Sequence, residues 1–489
     1  MDIVVQNVNE AYVKVLSDLS IAHELSDFFQ FMVPGAQFSP KFRAKLWNGK
    51  IYLFNTQTRQ IYRGLVNQIE QFASDRGYTF KYDSDHYDAS FSVKECDDFI
   101  ESINPKYLPR DYQKDAFITS IRNKRRLILS PTASGKSLII YLIVRYLLES
   151  GKKKGLIIVP KISLVEQLTK DFTEYSENNG WDTDENVHKI YQGKEKTSNK
   201  AVTISTWQSI YKISPKELEK YDFVIGDECH LFTAKSLTTI MTSLKNTEYR
   251  IGTTGTLDGS KTHKMVLEGL FGPVYKGVTT KELMDNNHIA DFSIKCLLLK
   301  HPEEVCKAAK TFTYQQEMEY LVLNDTRNLF VSNLALSLKG NTLILYQYVE
   351  KHGVLLHDII QKKIGKRKLF FIHGAVNVDY REKVREVVEK ENDAIIVASY
   401  GTYSTGINIR NLHNVIFASP SKSRIRNLQS IGRSLRKSDT KSEAVLFDIA
   451  DDLRHKKKEN YTLKHFISRT EIYMDEKFKF KIYKIDIKG

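Results

Sequence analysis

Ten short apolar runs, set out in two series, constrain this chain more than any other feature. The first series is Leu127–Leu129, Leu156–Val159, Val202–Ile204, Phe223–Ile225 and Arg250–Thr253. The second is Thr342–Tyr346, Leu369–Ile372, Ala394–Ala398, Val415–Ala418 and Ala444–Phe447. The runs are continuous rather than alternating, so strands made from them would be buried on both faces. Stretches of helical spacing separate them. Two-sided strands alternating with helices are accommodated by a parallel sheet with helices on its faces. The fold class is therefore α/β, with two such domains in tandem. The repeat lies in the architecture and not in the sequence.

Ahead of both series, the first hundred residues read as a small α+β domain. Ile3–Gln6 and Tyr12–Leu16 suit short strands, and Ile21, Leu25, Phe28, Phe29 and Met32 recur at helical spacing. Asn48-Gly49 lies between two apolar runs, which suits a type I′ hairpin because both turn residues must accept positive φ. Leu65, Ile69 and Phe72 mark an amphipathic helix. Asp83–Asp88 and Glu95–Asp98 are acidic and poorly periodic, and Asn104-Pro105 breaks the chain, placing a boundary near residue 100. The expected division is 1–100, 101–281, 282–455 and a basic tail over 456–489; from Arg454-His-Lys-Lys-Lys458 onward the chain reads as a basic turn and a short helical tail. Asp379-Tyr-Arg-Glu382 resembles a capping box.

Composition narrows the partners. The chain of 489 residues is 41% hydrophobic, enough for packed cores. Neither a signal-peptide core nor an apolar run near 18 residues is visible, so a soluble, cytoplasmic protein is expected. Cys96, Cys229, Cys296 and Cys306 form no Cys-x-x-Cys pair and read as buried small side chains. Net charge is +14, yet residues 1–100 carry ten Lys/Arg against thirteen Asp/Glu. The excess lies in the remainder, and basic excess of that size points to a polyanion, most often nucleic acid.

Three constellations carry chemistry. Ser130-Pro131-Thr132-Ala133-Ser134-Gly135-Lys136-Ser137 joins a strand to the helical stretch Ser137–Glu149. A helix N-terminus offers unpaired N–H groups and a positive dipole end to phosphate. Lys136 would reach the β- and γ-phosphates and Ser137 would hold Mg²⁺. The strict phosphate-loop pattern wants glycine where Ser130 stands, so an ordinary strand-to-helix turn remains an alternative on these residues alone. Asp227-Glu228-Cys229-His230 follows an apolar strand; Asp227 would hold Mg²⁺ through water, and Glu228 would orient or deprotonate the attacking water. Gln429-Ser-Ile-Gly-Arg-Ser-Leu-Arg436 places Arg433 and Arg436 on one helical face, where they would stabilise charge on a transferring phosphoryl group or bind nucleic-acid phosphates.

Taken in order, these three motifs resemble those of superfamily-two helicases. The resemblance covers about residues 105–450 and implies two RecA-like domains, ATP as substrate and Mg²⁺ as cofactor. Arg110-Asp-Tyr-Gln113 resembles the adenine-contacting element, implying Arg110 and Gln113 in ATP binding. Val159-Pro160-Lys161 and Ile204-Ser-Thr206-Trp207-Gln208 resemble strand-contacting motifs, as do His373-Gly374 and the Ser399–Asn408 stretch that contains Thr402 and Gly406. Thr253-Thr254-Gly-Thr256 stands where the family has its coupling motif, with His230 and Gly406 implied in the same relay. The two arginines would act across a cleft that ATP closes. The segment Phe38–Ile51 is similar to the bacteriophage UvsW-type helicases. That similarity implies work on junctions, forks, D-loops and R-loops in recombination, repair and replication in an infected cell, alongside single-strand-binding or recombination proteins.

The residues themselves support a nucleic-acid face. No carboxylate lies between Asp27 and Glu70, where Lys41, Arg43, Lys45, Lys50, Arg59 and Arg63 interleave with Phe42, Trp47, Tyr52, Phe54 and Tyr62. Trp47 and Phe54 are expected in the core and the cations on DNA. Arg410, Lys422, Arg424 and Arg426 form a second acid-free interval. No base-reading pattern is present, so recognition should follow backbone and shape, with RNA–DNA hybrids also admissible. The rival readings are a double-strand translocase, an RNA helicase, and an annealing protein gated by ATP.

Overall fold

The structure is a computed structural model. It describes all residues except 34, 84–90, 132, 192–194, 196–197, 232–233, 256, 258–260, 287–290, 403–408, 410, 420–442 and 488–489. The chain divides into two compact units, Met1–Ser130 with Gly135–Val278, and Pro131–Ser134 with Thr279–Gly489.

The first unit begins with strands β1 (Ile3–Asn7), β2 (Tyr12–Ser17), β3 (Gln30–Met32), β4 (Lys50–Tyr52), β5 (Gln60–Tyr62) and β6 (Phe80–Asp83). Four of them form a sheet in the order β5-β2-β1-β6. Alternation buries Ile3, Val5, Val13 and Val15 on one face, against helices Leu19–Phe28 and Val66–Arg76. The Asn48-Gly49 hairpin does not form. β4 pairs antiparallel with β3, some twenty residues upstream, so Met32 is a strand residue and not a helical one. Gly49 takes φ +79°, and a Cβ there would lie 2.6 Å from Met32 Sδ. Asn48 Oδ1 instead accepts the Lys50 N–H at 3.0 Å. Phe54 is buried as expected, but Trp47 is half-buried, with Nε1 donating to Lys50 O at 2.9 Å.

This α+β layer shares its core with the following α/β layer. Leu25, Phe29 and Phe72 belong to one apolar cluster with Met241, Leu267 and Phe271 of helices Ala234–Ser243 and Lys261–Phe271. A Cβ on Gly64 would stand 2.2 Å from Glu268 O, so only glycine allows that approach. Glu10 binds both Arg63 at 2.7 Å and Arg125 at 2.6 Å. The helix Val93–Ile103 spans the boundary expected at residue 100. It starts in a reciprocal cap of Ser92 and Glu95, and buries Cys96, Phe99, Ile100 and Ile103 in the cluster of the helix Lys136–Glu149. Four carboxylates on its exposed face disguise that i, i+3, i+4, i+7 spacing in the sequence.

The α/β layer contains β7 (Arg125–Leu129), β8 (Gly155–Val159), β9 (Val187–Ile190), β10 (Val202–Thr206), β11 (Phe223–Asp227), β12 (Tyr249–Thr254) and β13 (Val274–Lys276). They form a parallel sheet in the order β13-β7-β12-β11-β8-β10-β9. The five strands legible in the sequence are its centre.

The second unit repeats the plan with β14 (Asp291–Lys300), β15 (Thr342–Tyr346), β16 (Leu369–Ile372), β17 (Ile395–Ser399), β18 (Asn414–Phe417), β19 (Glu443–Asp452) and β20 (Lys479–Asp486), ordered β16-β17-β15-β18-β19-β14-β20. All neighbours are parallel. The segment expected as a basic tail is part of this domain: Tyr461–Asp475 is a helix and β20 extends the sheet beside β14. Arg469 of that helix donates to Asp448 of β19, and Tyr473 OH donates to the same carboxylate at 2.9 Å. The helix Val378–Lys390 is capped by Asn377, whose Oδ1 accepts the Asp379 N–H, rather than by an Asp379–Glu382 box. No helix among the described residues is long and apolar enough to cross a membrane. Both tandem RecA-like domains are thus in place, preceded by the small α+β layer.

Candidate active site

In a parallel sheet the C-terminal ends of the strands share one edge, and that edge is where open α/β sheets bind ligands. Here β7 leads to the Ser130–Ser137 loop, β8 to Pro160 and Lys161, β10 to Thr206, Trp207 and Gln208, β11 to Asp227 and Glu228, and β12 to Thr253 and Thr254. Register brings Asp227 opposite Thr253 and Thr254 opposite Leu129. The sequence-predicted residues of five motifs therefore share one edge because their strands are neighbours.

The phosphate-loop candidate has the geometry that an anion needs. Gly135 precedes the 14-residue helix Lys136–Glu149 with φ +76° and no side-chain cap. Ala133 also takes positive φ, at +69°. A Cβ on Gly135 would fall 2.4 Å from Gln113 Nε2, which donates to Gly135 O at 3.3 Å. Gln113 Oε1 accepts the Arg110 N–H at 2.8 Å, so the upstream element and the loop are tied by one amide side chain. Arg110 Nη1 donates to Tyr112 OH at 3.1 Å. Lys136 Nζ donates to Ser130 O at 3.2 Å and stands 3.5 Å from Glu228 Oε1. Ser137 Oγ and Tyr175 OH are 2.8 Å apart. Tyr175 had no motif to announce it. Ser134 Oγ donates to Pro131 O at 2.7 Å.

The acidic box is wired to the coupling motif. Asp227 Oδ1 accepts from Thr253 Oγ1 at 2.7 Å and from the Glu228 N–H at 2.9 Å. His230 Nδ1 lies 2.5 Å from Thr254 Oγ1 and 3.5 Å from Glu228 Oε2. Glu228 holds φ +47°, a strained backbone for a non-glycine residue and a frequent property of functional sites. Among the described residues its Oε2 is buried without a hydrogen-bond donor. Burial, then the adjacent Glu228 charge, pushes the Asp227 carboxyl up to about 6. Burial opposes ionisation of Glu228 too, but Lys136 and then His230 outweigh it and hold that carboxyl below its usual range. Lys136 thus serves both carboxylates while His230 favours Glu228, and Asp227 is the under-compensated member.

The strand-contact candidates are less uniform. In the first unit Lys41, Arg43 and Lys45 are exposed, while Lys50 and Arg59 are half-buried. Arg63, expected on that face, is instead nearly buried in its pair with Glu10, because β1–β2 brings an acid into a segment that has none of its own. Pro160 is buried, Lys161 precedes the helix Ile162–Tyr175, and Gln208 is exposed. Thr206 is buried, with Oγ1 donating to Ser209 at 3.1 Å. In the second unit Thr402 is buried beside Ser399, their hydroxyls 2.8 Å apart. His373 and Gly374 follow β16, and their carbonyls accept from Arg381. Thr132, Thr256, Gly406, Arg410, Lys422, Arg424, Arg426, Gln429, Arg433 and Arg436 lie outside the described residues.

Three family models match this chain: the N-terminal domain of DNA helicase UvsW over residues 2–83, the res subunit of type III restriction enzymes over 106–259, and the helicase conserved C-terminal domain over 325–438. The chain is 34% identical to the ATP-dependent DNA helicase uvsW of Enterobacteria phage T4, covering all of both sequences. The chain belongs to the UvsW helicase family. The crystal structure of T4 UvsW superposes with a TM-score of 0.54 at 32% identity, covering 99% of this chain and 100% of that one. The DNA 3′-5′ translocase XPB2 of Sulfurisphaera tokodaii is 25% identical over 71% of this chain and 82% of its own. A type ISP restriction-modification enzyme, LlaBIII bound to DNA, shares the fold at a TM-score of 0.59 and 17% identity, covering 78% of this chain and 32% of its own. Membership in the UvsW family makes this chain an ATP-hydrolysing, DNA-binding helicase of superfamily two, of a type found in phage.

Proposed function

We propose that this UvsW-family helicase remodels branched DNA, and that Lys136, Asp227 and Glu228 carry its ATP hydrolysis. The observation that supports the hydrolytic assignment is the hydrogen-bonded set joining Asp227 to Thr253 and His230 to Thr254. Lys136 binds phosphate oxygens as a point charge, and the first turn of its helix adds N–H donors. Glu228, ionised and with a buried oxygen that accepts no hydrogen bond among the described residues, accepts the proton of the attacking water. Asp227 turns one oxygen to Thr253 and keeps the other for a cation, so the donor set fits Mg²⁺, which Asp227 and Ser137 would hold. Bound there, Mg²⁺ supplies charge neutralisation on the phosphates. Thr253, Thr254 and His230 carry the nucleotide state from the acidic box into β12. Gln429, Arg433 and Arg436 enter by motif alone, as groups facing the transferred phosphoryl.

Branched substrates are favoured because exposed Lys41, Arg43 and Lys45 sit on the layer that shares a core with the first RecA-like domain. A second DNA contact fixed to the motor suits forks, junctions, D-loops and R-loops, where two segments must be held at once. Single-strand-binding or recombination proteins of an infected bacterial cell would be natural partners. ATP-dependent remodelling across a panel of such substrates, in DNA and RNA–DNA versions, tests this reading. Lys136→Ala should retain DNA binding and lose DNA-stimulated ATPase by about 10²–10³-fold. Normal turnover by that variant, or equal activity on plain duplex and branched substrates, would overturn it.

A further inference from the structure

The turn after β19 makes a basic cleft that the helicase motifs do not use. Arg454 pairs with Asp452 at 2.6 Å, and His455 and Lys458 exchange backbone hydrogen bonds. Lys458 Nζ donates to Lys310 O at 2.6 Å, which locks the turn against the helix Glu303–Ala309. The cleft between them, of about 330 Å³, is lined by Lys310, Lys457, Lys458 and Lys464. Two carboxylates also line it. Glu317 is buried and already accepts from the N–H groups of Tyr461 and Thr462 and from Asn460. Glu459 is the other, so positive charge prevails. Lys310, Lys457 and Lys464 are exposed, and no acidic side chain among the described residues pairs with them. Beside the cleft, the rings of Tyr461 and Tyr314 meet edge to face at 6.0 Å, and they are 46% and 37% exposed.

We propose that this cleft is a second nucleic-acid site, in which Lys310, Lys457 and Lys464 hold backbone phosphates of a single strand and Tyr461 stacks on a base. Cations spaced beside an exposed aromatic are the combination that binds single strands without regard to sequence. An acidic peptide would use the lysines but gain nothing from the ring pair, which favours the strand. The site rests on the DNA-helicase identity and is independent of the branched-substrate reading, because it is tested without ATP and on unbranched DNA.

The test is single-strand affinity of the full chain as a function of salt. Each lost phosphate contact lowers the log–log salt slope by about 0.7. The triple variant K310A/K457A/K464A should therefore lower the slope by about 2, with unchanged thermal stability because all three side chains are exposed. Tyr461→Ala should weaken binding about tenfold and leave the slope unaltered. K362A/K363A/K366A removes the same charge from another exposed stretch of the unit and should change neither quantity appreciably. An unchanged slope in the K310A/K457A/K464A variant overturns the site, as it would if the cleft served acidic protein segments. Equal losses in the two triple variants also overturn it, since binding would then follow net charge alone.

Discussion

Both RecA-like domains bury ionisable side chains beneath a seven-stranded parallel sheet, yet they treat that charge in opposite ways. In the second domain Asp451 lies between Arg327 at 2.9 Å and His301 at 3.0 Å. Burial works against its ionised form, but Arg327 and then His301 outweigh burial and hold the carboxyl down at about 2. Asp448 accepts hydrogen bonds from Arg469 at 2.9 Å and Tyr473 at 2.9 Å. In the first domain Asp227 and Glu228 share Lys136, His230 adds its charge to Glu228, and Asp227 is left at about 6. Fully paired carboxylates lock elements together: here they fasten the Asp325–Ser337 helix and the Tyr461–Asp475 helix to β19. An under-paired carboxylate keeps capacity for a ligand. Degree of compensation, and not burial, separates scaffold from site.

The sharpest way to break that contrast is to unpair one of each kind. Arg327→Leu should cost about 3–5 kcal/mol in denaturant unfolding, because Asp451 would remain buried with only His301 beside it. Asp227→Asn should not reduce stability at pH 7. The sign follows from linkage. A carboxyl raised in the fold contributes stability below its unfolded value near 4, and that contribution disappears as pH rises through about 6. Asp451, being lowered, contributes above about 4 and loses its contribution as pH falls toward 2. Comparable destabilisation by the two substitutions would erase the distinction.

A smaller effect concerns pH and activity. kcat/KM for ATP should fall about tenfold per pH unit below about 6, as Asp227 takes up a proton, while unstimulated DNA binding changes little. A profile flat to pH 5 would mean that Asp227 is compensated after all. Smaller still is the expected effect of Thr254→Val, which removes the hydroxyl beside His230 and keeps the shape of the side chain. ATP hydrolysis should persist, with the ATP consumed per base pair opened rising about fivefold. An unaltered ratio would show that the β12 threonines are structural.

What the sequence revealed, and what it hid, follows the same physics. Central strands such as those containing Phe223–Ile225 and Leu343–Tyr346 are buried on both faces and carry continuous apolar runs, so the sequence pattern finds them. Edge strands β9, Val187-His-Lys-Ile190, and β20, rich in Lys479, Lys481 and Lys484, are half-solvated, so they read as loop and tail. The Asn48-Gly49 turn misled because dipeptide propensity is local, whereas β4 finds its partner at β3. At the site, Lys136, Asp227, Glu228 and the threonines were legible because motif spacing fixes them to strand ends. Three things were hidden: the Gln113 bridge to Gly135, the Tyr175 hydroxyl on Ser137, and the burial of Arg63 by Glu10. Each depends on a partner many residues away in the chain.

The central claim is that Glu228, ionised and carrying an oxygen without a donor among the described residues, handles the proton of the attacking water. Single-turnover phosphate release from Glu228→Gln, with saturating ATP and DNA, tests it most directly. The account predicts normal binding of both ligands and a rate lower by about 10²–10⁴-fold. Release at nearly the wild-type rate would contradict it.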